Sequence, residues 1–589
     1  MSTQTLTSTL TQHALLVLWG QFAQSLGIPQ AFATLPLHQK TYTHTPQTKL
    51  LEFFLAILAG LPHLTDLSHA AHPLDQDPAV ATAWGQPAWA DASGVSRALQ
   101  ALTPAEAAQV SHLLQEISRP FIEREVLLAM QQQGRVVYDG DLTGRPVSNT
   151  STTYPGAAYG HMSDGVHLGY QAALVTMHSP TYGRLWLGVT PHPGNTLSCS
   201  QAEALVRAAE TQTGARPARR VDLVQTRLRA VAEQCAERTR QLRRAEEVWA
   251  DLTRERDLTQ RDVWYWQQQV ADRQAAAGGD GPARPHSKLT QARTRAAMHA
   301  KRLAQLEQRL PQVGQWVTEA EQRLARGVAT HAQVEARLAQ LTQDNVSNRT
   351  PIVAEFRLDG GFGTGENLTL LIELGYEVYS KPYSPHVTER LRAQITEQTA
   401  WTRVGSNAEM VGFAAVEVRD CPYPLDGAVE RFYTGATLRY SSLVHYGRDP
   451  VLGDLSAWFA EYNARQTIEA GIKEGKGVFQ MHHLKVRARP GLAVQEHLAA
   501  FAANFVRWAG HWLVTSCPQG GPARLLGGAA VKSQVQVGAH TSAWVRQEDG
   551  NWVVEFTDHS IYAGSAIHTR EWVFQLPLPL FSSCDLVPI

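Results

Sequence analysis

Long apolar runs are missing from this 589-residue chain: no stretch approaches the roughly 18 uncharged apolar residues that a membrane-spanning helix needs. A secretory leader is not expected either, because residues 1–16 are rich in Thr and Gln and place no basic region ahead of an apolar one. Cysteine is scarce. The five present, Cys199, Cys235, Cys421, Cys517 and Cys584, are spaced neither as metal-type pairs nor as a disulfide framework, which points to a reducing cytosol. Net charge is almost absent, at −1, and 43% hydrophobic with 18% charged residues excludes a disordered or collagen-like chain. The length suggests about three or four structural units.

The charge balance is an average over unlike regions. Between Arg216 and Asn345 about 23 Arg and Lys stand against about 16 Asp and Glu, so that segment is basic and the remainder acidic. A basic segment permits a nucleic-acid partner without establishing one.

Residues up to about 130 read as helical. Leu50 to Leu58 is a strong apolar run stopped by Gly60 and Pro62. Thr103, Pro104 and Glu106 supply the hydroxyl, first-turn proline and acid of a capping box. Asp91 to Leu99 could open a short DNA-facing helix, but a helical cap over a core is the favoured reading. From Gln131 the texture turns to strands, with Arg135 to Asp141 a short β run ending in carboxylates. Further runs follow at Tyr170 to Met177 and Arg184 to Val189.

Heptad periodicity is the clearest signal. Apolar positions recur in steps of three and four from Val221 to Val270 and again from Leu289 to Leu341, around the breaker 278–282. Two matched tracts about one turn specify an antiparallel coiled-coil hairpin. Each arm of about 50 residues would reach on the order of 75 Å. Pro311 and Gly314 predict a kink in the second arm, and Arg238, Arg256 and His299 at seam positions suggest control of register. Dimerisation, DNA clamping and rigid spacing are all compatible purposes. Beyond the hairpin, a strand over 351–359 runs into Gly360–Asn367, a helix over 368–374 and a strand over 376–379. A strand hairpin is expected near 432–446, helices over 456–515 and strands after Cys517.

Several residues are chemical candidates. Gly361, Gly363 and Gly365 lie between a strand and a helix, but their spacing fits neither common phosphate-loop pattern. Asp359, at a strand's C-terminal end beside these glycines, can reach an open cleft as a metal ligand or serve as a turn residue. Asp139 and Asp141, two apart on a strand, face one side and repel unless a cation or proton lies between them. Helical geometry would put Tyr462, Arg465, Glu469 and Lys476 along one face. One acid with two cations and a phenol suits a divalent metal beside phosphates, although mixed charge on a helix is usually solvated surface. Lys473 lies in the same stretch, and Lys485 and Arg487 add a second basic patch.

The spacing Tyr462-x2-Arg465-x3-Glu469-x6-Lys476 resembles the Tyr-Arg-Glu-Lys signature of cut-and-paste insertion-sequence transposases of the DDE class. Asp141-Leu142-Thr143 resembles that family's first Asp element, and Asp359-Gly360-Gly361-Phe362 its second, in the family's order. Apart from the hairpin, the resemblance covers roughly residues 40–515. It implies an α/β fold with a ribonuclease H-like mixed sheet flanked by helices, gathering Asp141, Asp359 and Glu469 around two Mg²⁺ (or Mn²⁺) ions, with Asp139 as the alternative first ligand. It further implies an N-terminal helical, DNA-binding domain over 1–130, core parts at 131–200, 346–382 and 456–515, and a hairpin insertion over 201–345. A β-rich insertion over 383–455 and a β-rich region over 516–589 complete the division. Arg465 and Lys476 would grip phosphates and Tyr462 would touch one. Trp401 stands where some relatives trap a flipped base, although packing is the favoured reading. Double-stranded DNA, a homodimer in the synaptic complex and a prokaryotic cytoplasm at the nucleoid follow as expected partners and location. One departure is plain: the hairpin separates the first and second Asp, whereas better-known relatives carry their main insertion after the second.

Overall fold

The computed structural model of the protein describes residues 8–38, 43–162, 165–276, 287–516, 521–548 and 551–569. The breaker at 278–282, Cys517, Cys584 and the chain from 570 onward lie outside them. The fold is mixed α/β and divides into two compact units, Arg219–Arg349 and the rest.

In the larger unit, strands β2 (Val136–Pro146), β3 (Ala158–Met162), β4 (Gly165–Ser179) and β5 (Gly183–Pro193) are followed by β6 (Ala354–Arg357) and β7 (Glu377–Ser380). The strand run expected at 135–141 thus extends through Pro146. β2 pairs antiparallel with β4, and β4 with both β3 and β5. On its other edge β2 runs parallel to β6, and β6 parallel to β7. The helix Gly365–Glu373 makes the crossover that two parallel neighbours require. All four residues of β6 and of β7 are buried, as strands covered on both faces must be.

Beyond β7 the sheet continues antiparallel through β11 (Thr437–Tyr446), β10 (Leu425–Thr434), β9 (Ala408–Val416) and β8 (Thr402–Arg403). The expected hairpin is β10–β11, closing at Thr434 and Thr437 with Gly435 at φ +61° in the left-handed region.

The N-terminal helices share a core with the sheet. Arg489–Ser516, a helix of 28 residues, packs against β5 and against the helices Pro46–Leu58 and Pro104–Gln133. Aromatic rings fill the interface: Phe121 stacks on Trp508 at 4.2 Å, and Phe54 and Trp84 surround Phe505. The expected capping box of Thr103 and Glu106 is formed. In the helix Ala92–Gln100, Val95 and Leu99 are buried while Ser93 and Arg97 are exposed, so it caps a core with one face outward. A second sheet joins the chain's two ends, because β1 (Thr9–Thr11) pairs with β12 (Ala543–Glu548), followed by β13 (Asn551–Phe556) and β14 (Ala566–His568). Nothing in the Thr-rich start suggested that strand. No helix among the described residues is long and apolar enough to cross a membrane.

The smaller unit is the helical pair Val221–Ala276 and Lys288–Ser347, 56 and 60 residues long. Its boundary corrects the expected 201–345: the helix Ala202–Thr213 buries Leu205, Val206 and Ala209 against the larger unit's sheet instead. Every buried residue of the pair occupies a heptad seam position, from Val224, Leu252, Thr259 and Val263 to Leu306, Leu310, Val313 and Leu341. The second helix runs through Pro311 without interruption. Two of the three polar seam residues cross between the arms. Arg238 donates to the Arg323 carbonyl at 3.2 Å and His299 lies 3.6 Å from Asp262, whereas Arg256 pairs with its neighbour Asp257.

Candidate functional site

Side chains two apart on β2 face one side, so Asp139, Asp141 and Arg145 form one row. Their fates differ with depth. Asp139 is fully buried and surrounded by cations: Arg357 Nε and Nη2 donate to its two oxygens at 2.7 and 3.1 Å. His178 Nε2 lies 2.8 Å away and Arg184 Nη2 3.3 Å. Burial pushes its carboxyl up, but His178 and Arg357 outweigh burial and hold it below the usual range. This corrects Asp139 as an alternative metal ligand, since both oxygens are committed to protein cations.

Asp141 is different. Its Oδ1 accepts from the Leu142 amide at 2.7 Å, and Arg465 Nη1 lies 3.5 Å from Oδ2. Burial raises its carboxyl to about 6; Arg465 opposes the rise, while the negative charges of Asp359 and Glu469 add to it. Asp359 and Glu469, both distant in sequence, thus lie near enough to Asp141 for their charges to bear on it.

Asp359 lies two residues beyond the end of β6, not within the strand expected over 351–359. The backbone continues the β6–β7 pairing through Leu358 N to Tyr379 O at 3.0 Å, then turns, with Gly361 N donating to Asp359 Oδ1 at 2.9 Å. A side chain at Gly363 would place its Cβ 1.8 Å from the Lys381 carbonyl oxygen, so this glycine is required by close backbone approach. Asn367 locks the loop by donating to the carbonyls of Cys199 and Phe362, both at 2.9 Å. The glycines here serve a tight strand-to-helix turn.

Glu469 lies in the first turn of the helix Gln466–Gly477, exposed, with Arg465 Nη2 3.7 Å from its Oε1. The single helical face expected for Tyr462, Arg465, Glu469 and Lys476 is corrected by a break: the preceding helix ends at Asn463, and Arg465 is the N-cap of the next. Tyr462 turns inward, with its hydroxyl 3.4 Å from the Leu358 carbonyl beside Asp359, within an apolar cluster that includes Trp458 and Tyr379. It is therefore a packed residue rather than the exposed phosphate contact expected, and burial pushes its phenol up to about 12.

The other basic candidates divide. Lys476 is half-buried and lowered by burial and by Arg145, with Asp141 acting in the opposite sense, so it belongs to the carboxylate end of the sheet. Lys473 and Arg487 are exposed. Lys485 Nζ lies 3.5 Å from the Gln480 carbonyl, and burial lowers its amine to about 8, with the charge of Asp66 opposing. Trp401 is at the far edge beside β8, under the Arg431 guanidinium at 4.0 Å, and none of its ring contacts is with the carboxylates.

Oxygen-only donors with mutual repulsion suit a hard divalent cation. Among the described residues, however, no three His, Cys, Asp or Glu side chains close to within reach of one ion. Arg465 occupies the space between Asp141 and Glu469 as their counter-charge.

The buried ion network was not foreseen. Arg357 also reaches Glu461, and Arg135 lies near Glu355, Glu377, Asp449 and Glu461. The available signal was the alternation Glu355-Phe356-Arg357-Leu358-Asp359, which puts three charged residues on one face of a short strand. The chain matches no protein-family model and no curated protein.

Proposed function

We propose that this protein is a metal-dependent DNA transposase that binds the terminal inverted repeats of an insertion sequence, cleaves there and transfers the 3′ ends to target DNA. The observation carrying the reading is the electrostatic convergence of Asp141, Asp359 and Glu469, each supplied by a different part of the chain. A mixed sheet flanked by helices, with the Asp141 strand internal and the Asp359 strand its parallel neighbour, is what a ribonuclease H-like core calls for. Asp141, Asp359 and Glu469 would hold two Mg²⁺ or Mn²⁺ ions; these, when bound, supply activation of a water or 3′-hydroxyl and stabilisation of the leaving oxygen.

The chain's own groups do the remainder. Arg465 neutralises Asp141 and Glu469 before cations arrive, and would turn from them, together with half-buried Lys476, to grip a DNA phosphate. Lys473 and Arg487 are exposed for backbone contacts, and Trp401 is a packed residue under Arg431. Two DNA ends require two copies in the synaptic complex, and a prokaryotic nucleoid is the compartment where that DNA lies.

The test uses DNA flanking the reading frame as substrate. Glu469→Ala is expected to abolish strand cleavage and leave end binding largely intact; wild-type cleavage by that variant refutes the reading. Pre-cut ends that bind but are never joined would reduce it to a nuclease.

A further inference from the structure

A cavity of about 1090 Å³ lies among the N-terminal helices, and none of the three candidate carboxylates lines it. Leu50, Ala98, Leu99 and Leu102 give it apolar walls, and Lys49 and Arg97 bring positive charge to it. Apolar walls with a few convergent polar groups are the usual make-up of a small-molecule site.

Lys49 lies near the start of the helix Pro46–Leu58 and is only 6% exposed. A buried ammonium ordinarily sits against an acid, because an uncompensated charge away from water is costly. Among the described residues, no acid is within ion-pair distance of this amine. The acids of the region are engaged elsewhere. Asp91 Oδ1 accepts from the Gly94 amide at 2.7 Å and Oδ2 from the Ser93 hydroxyl at 2.8 Å, at the start of the helix Ala92–Gln100. Glu106 Oε2 accepts from the Thr103 amide at 2.8 Å and Oε1 from the His38 amide at 3.1 Å. Glu52, one turn along from Lys49, has its carboxyl pushed up to about 8 by burial, so at pH 7 it is mostly neutral.

Arg97 adds a second cation. Its Nε donates to the Ser93 carbonyl at 3.3 Å, and its charge joins burial in lowering the Lys49 amine. Two like charges that bear on each other beside apolar walls can be balanced together by one anion.

We propose that this cavity binds a small organic anion, a carboxylate or phosphate head on an apolar body, with Lys49 and Arg97 holding the head. Among the described residues, Lys49 keeps all its donors and Arg97 all but the one on Nε, so the head takes hydrogen bonds that cost the fold nothing. The body lies against Leu50, Leu99 and Leu102 and is removed from water there. The cavity takes no part in the metal-dependent chemistry, so either assignment can fail alone.

The experiment is isothermal titration calorimetry of the purified full-length chain with octanoate, octyl phosphate, octanol and octylamine. Saturable binding of octanoate or octyl phosphate is expected, and the tighter of the two identifies the head. Octanol and octylamine should bind at least about 10-fold more weakly, the order of one hydrogen bond to a charged group. Lys49→Met keeps the buried stem and removes the charge. It should weaken the anion by about 10- to 100-fold and leave octanol unchanged. If that variant does not fold, Arg97→Gln, at an exposed position, decides with a loss in the same direction. Equal affinity for octanol and octanoate, or wild-type anion affinity in the deciding variant, overturns the proposal. So does saturable binding of neither anion, including the case in which only duplex DNA binds and Lys49→Met weakens it.

Discussion

Arg465 Nη1 lies 3.5 Å from Asp141 Oδ2, joining residues 324 positions apart. The same guanidinium is 3.7 Å from Glu469, so one cation balances two carboxylates whose repulsion would otherwise protonate one of them. Arg465→Gln removes that balance. Asp141, already raised to about 6 by burial, should move higher, since Arg465 opposes the rise more than the Leu142 amide does. In the metal-free protein the Asp141 carboxyl is expected to titrate near 6, and in Arg465→Gln its midpoint should shift upward by about one unit, as followed by carboxyl ¹³C NMR. An unmoved midpoint would show that Arg465 is not the charge that holds Asp141 down.

Asp139 and Asp141 are predicted to behave oppositely in stability, although they are neighbours on one strand face. Asp139→Asn leaves Arg357 and Arg184 buried without their shared anion, a loss on the order of 3–5 kcal/mol. For Asp141 the folded carboxyl is raised from 3.8 to about 6, so its contribution is full below pH 4 and is lost as pH climbs through 6. Asp141→Asn should therefore be stabilising at pH 7.5, by about 1–3 kcal/mol. Denaturant titrations of both variants check this; equal destabilisation would contradict the assignment of separate roles.

These contrasts show what was legible in the residues and what was not. Local patterns carried far: the heptad seam located every buried residue of the helical pair, and Thr103 with Glu106 marked a real helix start. The strand position of Asp141 was readable for the same reason, because apolar runs bounded by glycine are local signals, whereas the strand expected to end at Asp359 stops at Arg357. The break at Ala464–Arg465 was not readable. No proline or glycine marks it, and steps of three, four and seven fit a continuous helix. Its cause is tertiary: Arg357 caps the first helix at Glu461, and Arg465 turns to Asp141. The buried cage of Asp139 was hidden similarly, since alternating charges on a strand look like a solvated face until the partners from β4, β5 and β6 are known.

Glu52 carries a further pH signature. It is fully buried in the helix Pro46–Leu58, where Oε2 accepts from the Ala90 amide at 2.9 Å. Burial pushes its carboxyl up to about 8. A raised acid contributes stability below its unfolded value and loses it as pH rises through the folded one, so the larger unit should weaken between about pH 5 and 8. Glu52→Gln preserves the acceptor and removes the titration. Its melting temperature should equal the wild type's near pH 5 and exceed it at pH 9. Parallel pH dependence in both proteins would place the titrating group elsewhere.

Leu306 tests whether the helical pair is a separate cooperative unit. It is 1% exposed and packs with Leu252, Leu310 and Val313 between the arms. Truncation to alanine should cost about 2–5 kcal/mol through lost burial and a residual cavity. The loss should be confined to residues 219–349, because the larger unit has its own aromatic core around Phe54, Phe505 and Trp508. Native-state hydrogen exchange on Leu306→Ala is the measurement. Amides of the two long helices should lose protection while those of β2, β6 and β7 keep theirs. Equal loss of protection in the sheet would mean that the two units unfold as one, and that the hairpin contributes to holding the carboxylate-bearing strands.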